Sequence, residues 1–201
     1  MLKQGRLILF IMGIFLLLPG CISGLWTGAT LVYDRHDVYK KLDDYSLFLK
    51  VNNAIMVDNL FKNNQCVIDI AVFKGDILLV GHVPTPELNN ELRRRLTTVK
   101  GYRRMFNQVG VSSTPSNSME DSWITTKIRS QIFADGSIDP NAFKVITSDR
   151  IVYLMGDAHE DQALKVINIS RRTADVVRVV KLLKYFTYQN QLGKPNNIRV
   201  G

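Results

Sequence analysis

The sequence predicts an α+β protein made of two tandem copies of one α-β-β-α-β unit, each with two helices packed on a small three-stranded sheet. Three observations predict it. Residues 44–111 and 121–188 can be laid over each other, and their opening helices align at a constant offset of 77 residues. Apolar residues in each copy recur first every fourth position and then in short β-branched runs. Between the copies, residues 112–119 (Ser-Ser-Thr-Pro-Ser-Asn-Ser-Met) have the composition of a linker.

Each unit opens with a helix. Leu47, Val51 and Ile55 in the first copy and Ile124, Ile128 and Ile132 in the second lie on one helical face, and Asp44 and Asp121 suit its N-cap. Two strands joined by a turn follow: Val67–Val72 and Ile77–Gly81 around Lys74-Gly75-Asp76, then Phe143–Thr147 and Ile151–Gly156 around Ser148-Asp149-Arg150. The second helix carries Leu88, Leu92, Leu96 and Val99 in the first copy, with Gly101 as its C′ residue. In the second copy it carries Ala163, Val166, Ile169 and Thr173. Met105–Val109 and Val176–Leu182 read as the third strands. A unit of about 68 residues buries a thin core.

The ends differ in kind from the repeats. Lys3 and Arg6 precede the apolar run Leu7–Leu18, the pattern of a secretory signal peptide. A spanning anchor needs about 20 apolar residues, and Pro19, Gly20, Ser23 and Gly24 interrupt that count. Leu18-Pro19-Gly20-Cys21 resembles the lipobox of bacterial lipoproteins, although Pro19 is unusual at its position. The resemblance implies a signal at 1–20, lipidation of Cys21 and a lipidated tether over 21–43. Ile22 rather than Asp after the lipidated residue implies sorting to the outer membrane. Cys66, in Cys66-Val-Ile-Asp-Ile, then reads as a small hydrophobe beside a strand. Residues 189–201 read as a disordered tail.

The net charge is +8, and falls to +6 without Lys3 and Arg6. A basic balance suggests an anionic partner. The export signal argues against nucleic acid, and the strands lack the aromatic pair of an RNA-binding sheet. His36, His82 and His159 are scattered, with no zinc-protease, nucleophile-elbow or phosphate-loop motif, so the chain reads as no enzyme and calls for no cofactor.

Laid out this way, the chain resembles the BON-domain proteins, and among them the dual-BON outer-membrane lipoproteins of Gram-negative bacteria. The matching pattern is Ile77-Leu-Leu-Val-Gly81 through Gly101-Tyr102 and Ile151-Val-Tyr-Leu-Met-Gly156 through Asp175-Val176, with Asp121–Ile132 the sharpest match. It departs at Arg150 and Asp175, where the pattern favours Gly. The resemblance implies a non-catalytic protein on the periplasmic face of the outer membrane that supports envelope integrity. It also implies association with division sites and with the outer-membrane protein assembly machinery. Its implied ligand is anionic phospholipid, chiefly phosphatidylglycerol, held by the first helix of the second domain.

On this chain that helix offers Trp123, Ile124, Thr126, Lys127, Ile128, Arg129, Ile132 and Phe133. Trp123 aligns with Ser46, so the position is not demanded by a shared core. An indole there suits a headgroup boundary. It equally suits packing against a protein, and a periplasmic interaction scaffold is the rival function. Arg129 and Phe133 replace Asn52 and Met56, so cationic and aromatic character is expected in the second helix and not in the first. The isoleucines also carry the core periodicity. Arg93-Arg94-Arg95 with Arg103-Arg104 is the densest basic patch, either a solvated helix face or a second anionic contact.

Overall fold

The computed structural model describes residues 35–62, 65–114 and 116–186. Helix α1 (Arg35–Ile55) is followed by strands β1 (Val67–Phe73) and β2 (Asp76–Val83), helix α2 (Pro86–Leu96) and strand β3 (Arg104–Val111). The order repeats as α3 (Ser118–Ala134), a 3-10 turn at Pro140–Ala142, β4 (Phe143–Ser148), β5 (Ile151–His159), α4 (Glu160–Arg172) and β6 (Arg178–Phe186). Each copy forms one three-stranded sheet. Its hairpin pair is antiparallel and its last strand returns parallel to the hairpin's second strand, giving the orders β1-β2-β3 and β4-β5-β6.

The helices cover one face of each sheet. Leu47, Val51, Ile55, Ile77, Leu79, Leu92 and Val109 form the first core, and Ile124, Ile128, Ile132, Val152, Leu154, Ala163 and Val166 the second. The alternate residues of the same strands face the other way. Ala71, Leu78 and Val80 meet Tyr153, Met155 and Leu182 in a third core, where the two sheets stack. Strand β2 is therefore buried along both faces, which accounts for its unbroken apolar run.

Charges ring this sheet-to-sheet core. Arg103 donates to Asp76 at 2.7 Å and to Asp157 at 2.8 Å, joining the copies, and Arg104 also pairs with Asp76. His82 Nδ1 lies 3.1 Å from Asp149 Oδ2, and Lys144 Nζ donates to the Val72 carbonyl at 3.0 Å. Burial pushes the Asp76 carboxyl up, but the hydrogen bonds and charges of Arg103 and Arg104 outweigh it and hold it below the ordinary carboxylate range.

Several local expectations are corrected. The helix expected from Asp44 begins at Arg35, within the segment read as tether, because no Gly or Pro interrupts Arg35–Ile55. Helix α3 begins at Ser118, inside the segment read as linker, and its N-cap is Asn117. Asp44 and Asp121 are not caps. Each lies inside its helix and accepts the two amides of the facing hairpin turn: Lys74 and Gly75 at 2.7 Å, Asp149 and Arg150 at 2.8 Å. Gly101 is not a C′ residue, because α2 ends at Leu96. At φ 90° it shapes the approach to β3.

The departures at Arg150 and Asp175 keep the turn geometry. Their φ values of 62° and 73° match the left-handed backbone of Gly75 and Gly101 at 81° and 90°. The signal segment, Cys21 and residues 189–201 lie outside the described residues. Cys66 packs against the first core. Among the described residues no helix is long and apolar enough to cross a membrane.

Candidate functional site

Helix α3 has two apolar faces. Asn117 accepts the Glu120 amide, and Glu120 and Asp121 place negative charge in the first turn. Ile124, Ile128 and Ile132 are 0%, 0% and 3% exposed and form the helix side of the second core. Ile124 and Ile128 pack inward and present no surface to a ligand, which corrects their expected part in the site, while Ile132 packs inward and borders a cavity at the end of α3. The four-residue spacing that suggested them is the core periodicity itself.

The opposite face is open. Met119, Trp123 and Phe133 are 82%, 63% and 79% exposed. With the exposed, uncharged Thr126 and Ser130 between them, they follow a +4, +3, +4, +3 spacing and form one stripe. At 1.5 Å per residue the stripe is about 21 Å long. Three large apolar side chains in line, with no acidic residue among them, would lose little by leaving water. Met119 falls in the expected linker, so sequence reasoning missed it. Its position one turn before Trp123 was the available signal.

The flanks are cationic but unequal. Lys127 Nζ lies 5.9 Å from the centre of the Trp123 ring. It also donates to the Ala174 carbonyl and to Asp175, both at 3.3 Å, so it secures the turn before β6. Arg129, on the other flank, is exposed and has no ion pair among the described residues. The Thr126 hydroxyl donates to the Ser122 carbonyl inside the helix.

The contrast expected with the first helix is weaker than the alignment suggested. Tyr45 and Phe48 of α1 stack at 6.5 Å, and Leu42, Tyr45 and Leu49 are exposed. The arginine patch, in turn, is engaged within the fold. Arg94 is tied to Glu91, and Arg95 is buried under Phe61, bonded to Glu91, Asp58 and the Ile55 carbonyl. The Arg94 hydrogen bond, followed by that of Arg95, lowers the Glu91 carboxyl to about 2. Arg93 bonds Asn89, and Arg103 and Arg104 serve Asp76. Neither a wholly solvated face nor an open anion site describes it. His82 and His159 are apart, and among the described residues no three His, Cys, Asp or Glu side chains are placed to hold a metal.

Residues 120–185 match the family model described as the BON domain. The outer membrane lipoprotein DolP of Haemophilus influenzae is 29% identical over 181 residues, covering 87% of this chain and 93% of that protein. A 21 kDa hemolysin of Actinobacillus pleuropneumoniae is 26% identical over 162 residues, covering 76% and 84%. Among solved structures, the C-terminal domain of CdsD, a structural protein of the Type III secretion system of Chlamydia trachomatis, superposes with a TM-score of 0.29 at 10% identity, covering 70% of this chain and 98% of that one. The matched segment begins inside α3 and ends in β6, so it takes in nearly the whole of the second α-β-β-α-β unit. Residues 120–185 thus resemble a BON domain, and the chain is similar along most of its length to the outer membrane lipoprotein DolP.

Proposed function

We propose that this protein is a non-catalytic outer-membrane lipoprotein, anchored through Cys21 on the periplasmic face, that supports envelope integrity by binding anionic phospholipid such as phosphatidylglycerol. The observation that carries the reading is the outward stripe of Met119, Trp123 and Phe133 on α3, flanked by Lys127 and Arg129. Apolar side chains on such a face enter the headgroup boundary, and nearby cations add about 1 kcal/mol each against an acidic surface. The name of the similar lipoprotein supports the location. The resemblance of the first copy to the second supports a tandem pair of BON domains, with the first over residues 44–111 and the second over 121–188.

The test is flotation of residues 36–201, which form one compact unit, with vesicles of phosphatidylcholine alone or mixed with phosphatidylglycerol. Omitting Cys21 keeps a lipid anchor from masking the result. The expected outcome is binding to the mixed vesicles only, weakened by salt and lost in Trp123→Glu. Equal flotation by a folded Trp123→Glu protein would defeat the α3 assignment. Failure to bind either vesicle would favour the periplasmic interaction scaffold, in which an exposed Trp serves as a protein hot spot.

A further inference from the structure

A second feature lies beside the stripe, between the two copies. A cavity of about 880 Å³ opens where β1 and β4 come together below the end of α3. Its walls are of two kinds. Phe73, Phe133 and Phe143 are apolar, while Lys74, Arg129 and Lys144 are cationic.

None of the three cations forms an ion pair among the described residues. Lys74 lies over the Phe73 ring at 5.3 Å, Lys144 reaches only a neutral carbonyl, and Arg129 is exposed. The two carboxylates on the rim are already committed. Asp44 accepts the Lys74 and Gly75 amides, and Asp139 accepts the Asn141 amide. Burial pushes the Lys144 ammonium down, the nearby Asp44 charge opposes that, and the Arg129 charge adds to it. A half-buried cation facing a second cation is an electrostatic cost that a bound anion removes. The aromatic walls favour an anion that carries hydrocarbon.

We propose that this cleft binds the phosphate of an anionic membrane phospholipid, held by Lys144, Arg129 and Lys74, with the adjoining acyl carbons against Phe133 and Phe143; a choline ammonium would face the same three cations and be repelled. The inference rests on the membrane reading of α3 for its source of lipid, and Phe133 belongs to both surfaces. The stripe would set the protein on the bilayer, and the cleft would take hold of one lipid at its edge.

The experiment uses the full chain reconstituted in phosphatidylcholine vesicles. The probe is phosphatidylglycerol with a photoreactive diazirine near its headgroup, and the control is phosphatidylcholine with the same diazirine. The expected result is phosphatidylglycerol label on the segments 72–74 and 141–145, absent with the control probe. Lys144→Gln should reduce it about tenfold, as for the loss of one charge-assisted hydrogen bond. Arg129→Gln should do the same, and because Arg129 is exposed this variant keeps the test open if Lys144→Gln fails to fold.

Added inorganic phosphate should leave the label in place; erasure of the label would mean a site for free phosphate and overturn the lipid assignment. An unlabelled cleft with a labelled Met119–Thr126 face would overturn the cleft alone, as would label insensitive to both substitutions. A stripe that takes no label would instead count against the membrane reading.

Discussion

The Asp121 carboxylate, inside the first turn of α3, accepts the backbone N–H of Arg150 at 2.8 Å across 29 residues of chain. Its other oxygen takes the amide of Asp149 at the same distance. Both turn residues have positive φ, and Arg150 adopts without glycine a conformation that costs a side-chain-bearing residue about 1 kcal/mol. The carboxylate thus fastens the hairpin to the helix. Asp121→Ala should destabilise the protein by about 3 kcal/mol in urea unfolding, because two donors lose a charged acceptor. Asp121→Asn, which keeps one acceptor, should cost about half as much. Arg150→Gly should stay within about 1 kcal/mol of wild type, since relief of the backbone offsets loss of the bonds to Asp175 and Glu120.

The aspartates show how much of the fold was legible in the sequence. The repeat, the order of elements and the isoleucine core followed from periodicity, because each helix or strand must turn one apolar side inward. The long-range work of Asp44 and Asp121 did not. A carboxylate near a helix start looks like a cap, and nothing local reveals a turn about 30 residues away.

The sheet-to-sheet core was hidden for a related reason. Leu78 and Val80 look like any strand residues until the second sheet, with Tyr153 and Met155, is seen to cover them. At the candidate site Trp123 was legible through the mismatch with Ser46. Met119 was obscured by its polar neighbours. Of the cleft cations only Arg129 was legible, as part of the second copy's first helix; Lys74 and Lys144 were not, because they sit on two other elements.

Gly81 and Gly156 close the apolar runs noted in the sequence but lie inside β2 and β5, and the geometry explains each differently. A Cβ on Gly81 would lie 2.0 Å from the Val67 carbonyl oxygen, at a φ of 111°. One on Gly156 would lie 2.8 Å from the Ala142 carbonyl oxygen and 3.0 Å from Phe143 Cδ1. Gly81→Ala should therefore cost more than about 3 kcal/mol, from clash and backbone strain together. Gly156→Ala should cost less, because only the clash applies. Thermal unfolding of the two variants under one condition checks the order.

Asp76 predicts a pH dependence. Its folded carboxyl lies below the ordinary aspartate value of 3.8 because Arg103 and Arg104 outweigh its burial. A lowered folded pKa means that the stabilisation is complete above about 3.8 and is lost as pH falls through the folded value. Asp76→Asn should cost about 2 kcal/mol at neutral pH, having removed the shared partner of two guanidiniums. The difference from wild type should hold steady down to about pH 4.5 and shrink below 3.8. Urea unfolding of both proteins over a pH series measures it, and a gap that persists unchanged at the acid end would show that Asp76 acts by shape and not by charge.

Trp123 and Ile128 separate surface from core on the same helix. Ile128 is 0% exposed and Trp123 is 63% exposed, so equal chemistry at the two sites should have unequal consequences. Ile128→Ala should destabilise by about 3 kcal/mol through the cavity it leaves. Vesicle binding should then be unchanged wherever the variant remains folded. Trp123→Ser, which installs the residue of the first copy, should change stability by less than about 0.5 kcal/mol yet weaken vesicle binding. Circular dichroism melts paired with flotation give both quantities. If the two variants lost binding only in proportion to lost stability, the outward stripe would be an incidental surface and the lipid contact would lie elsewhere.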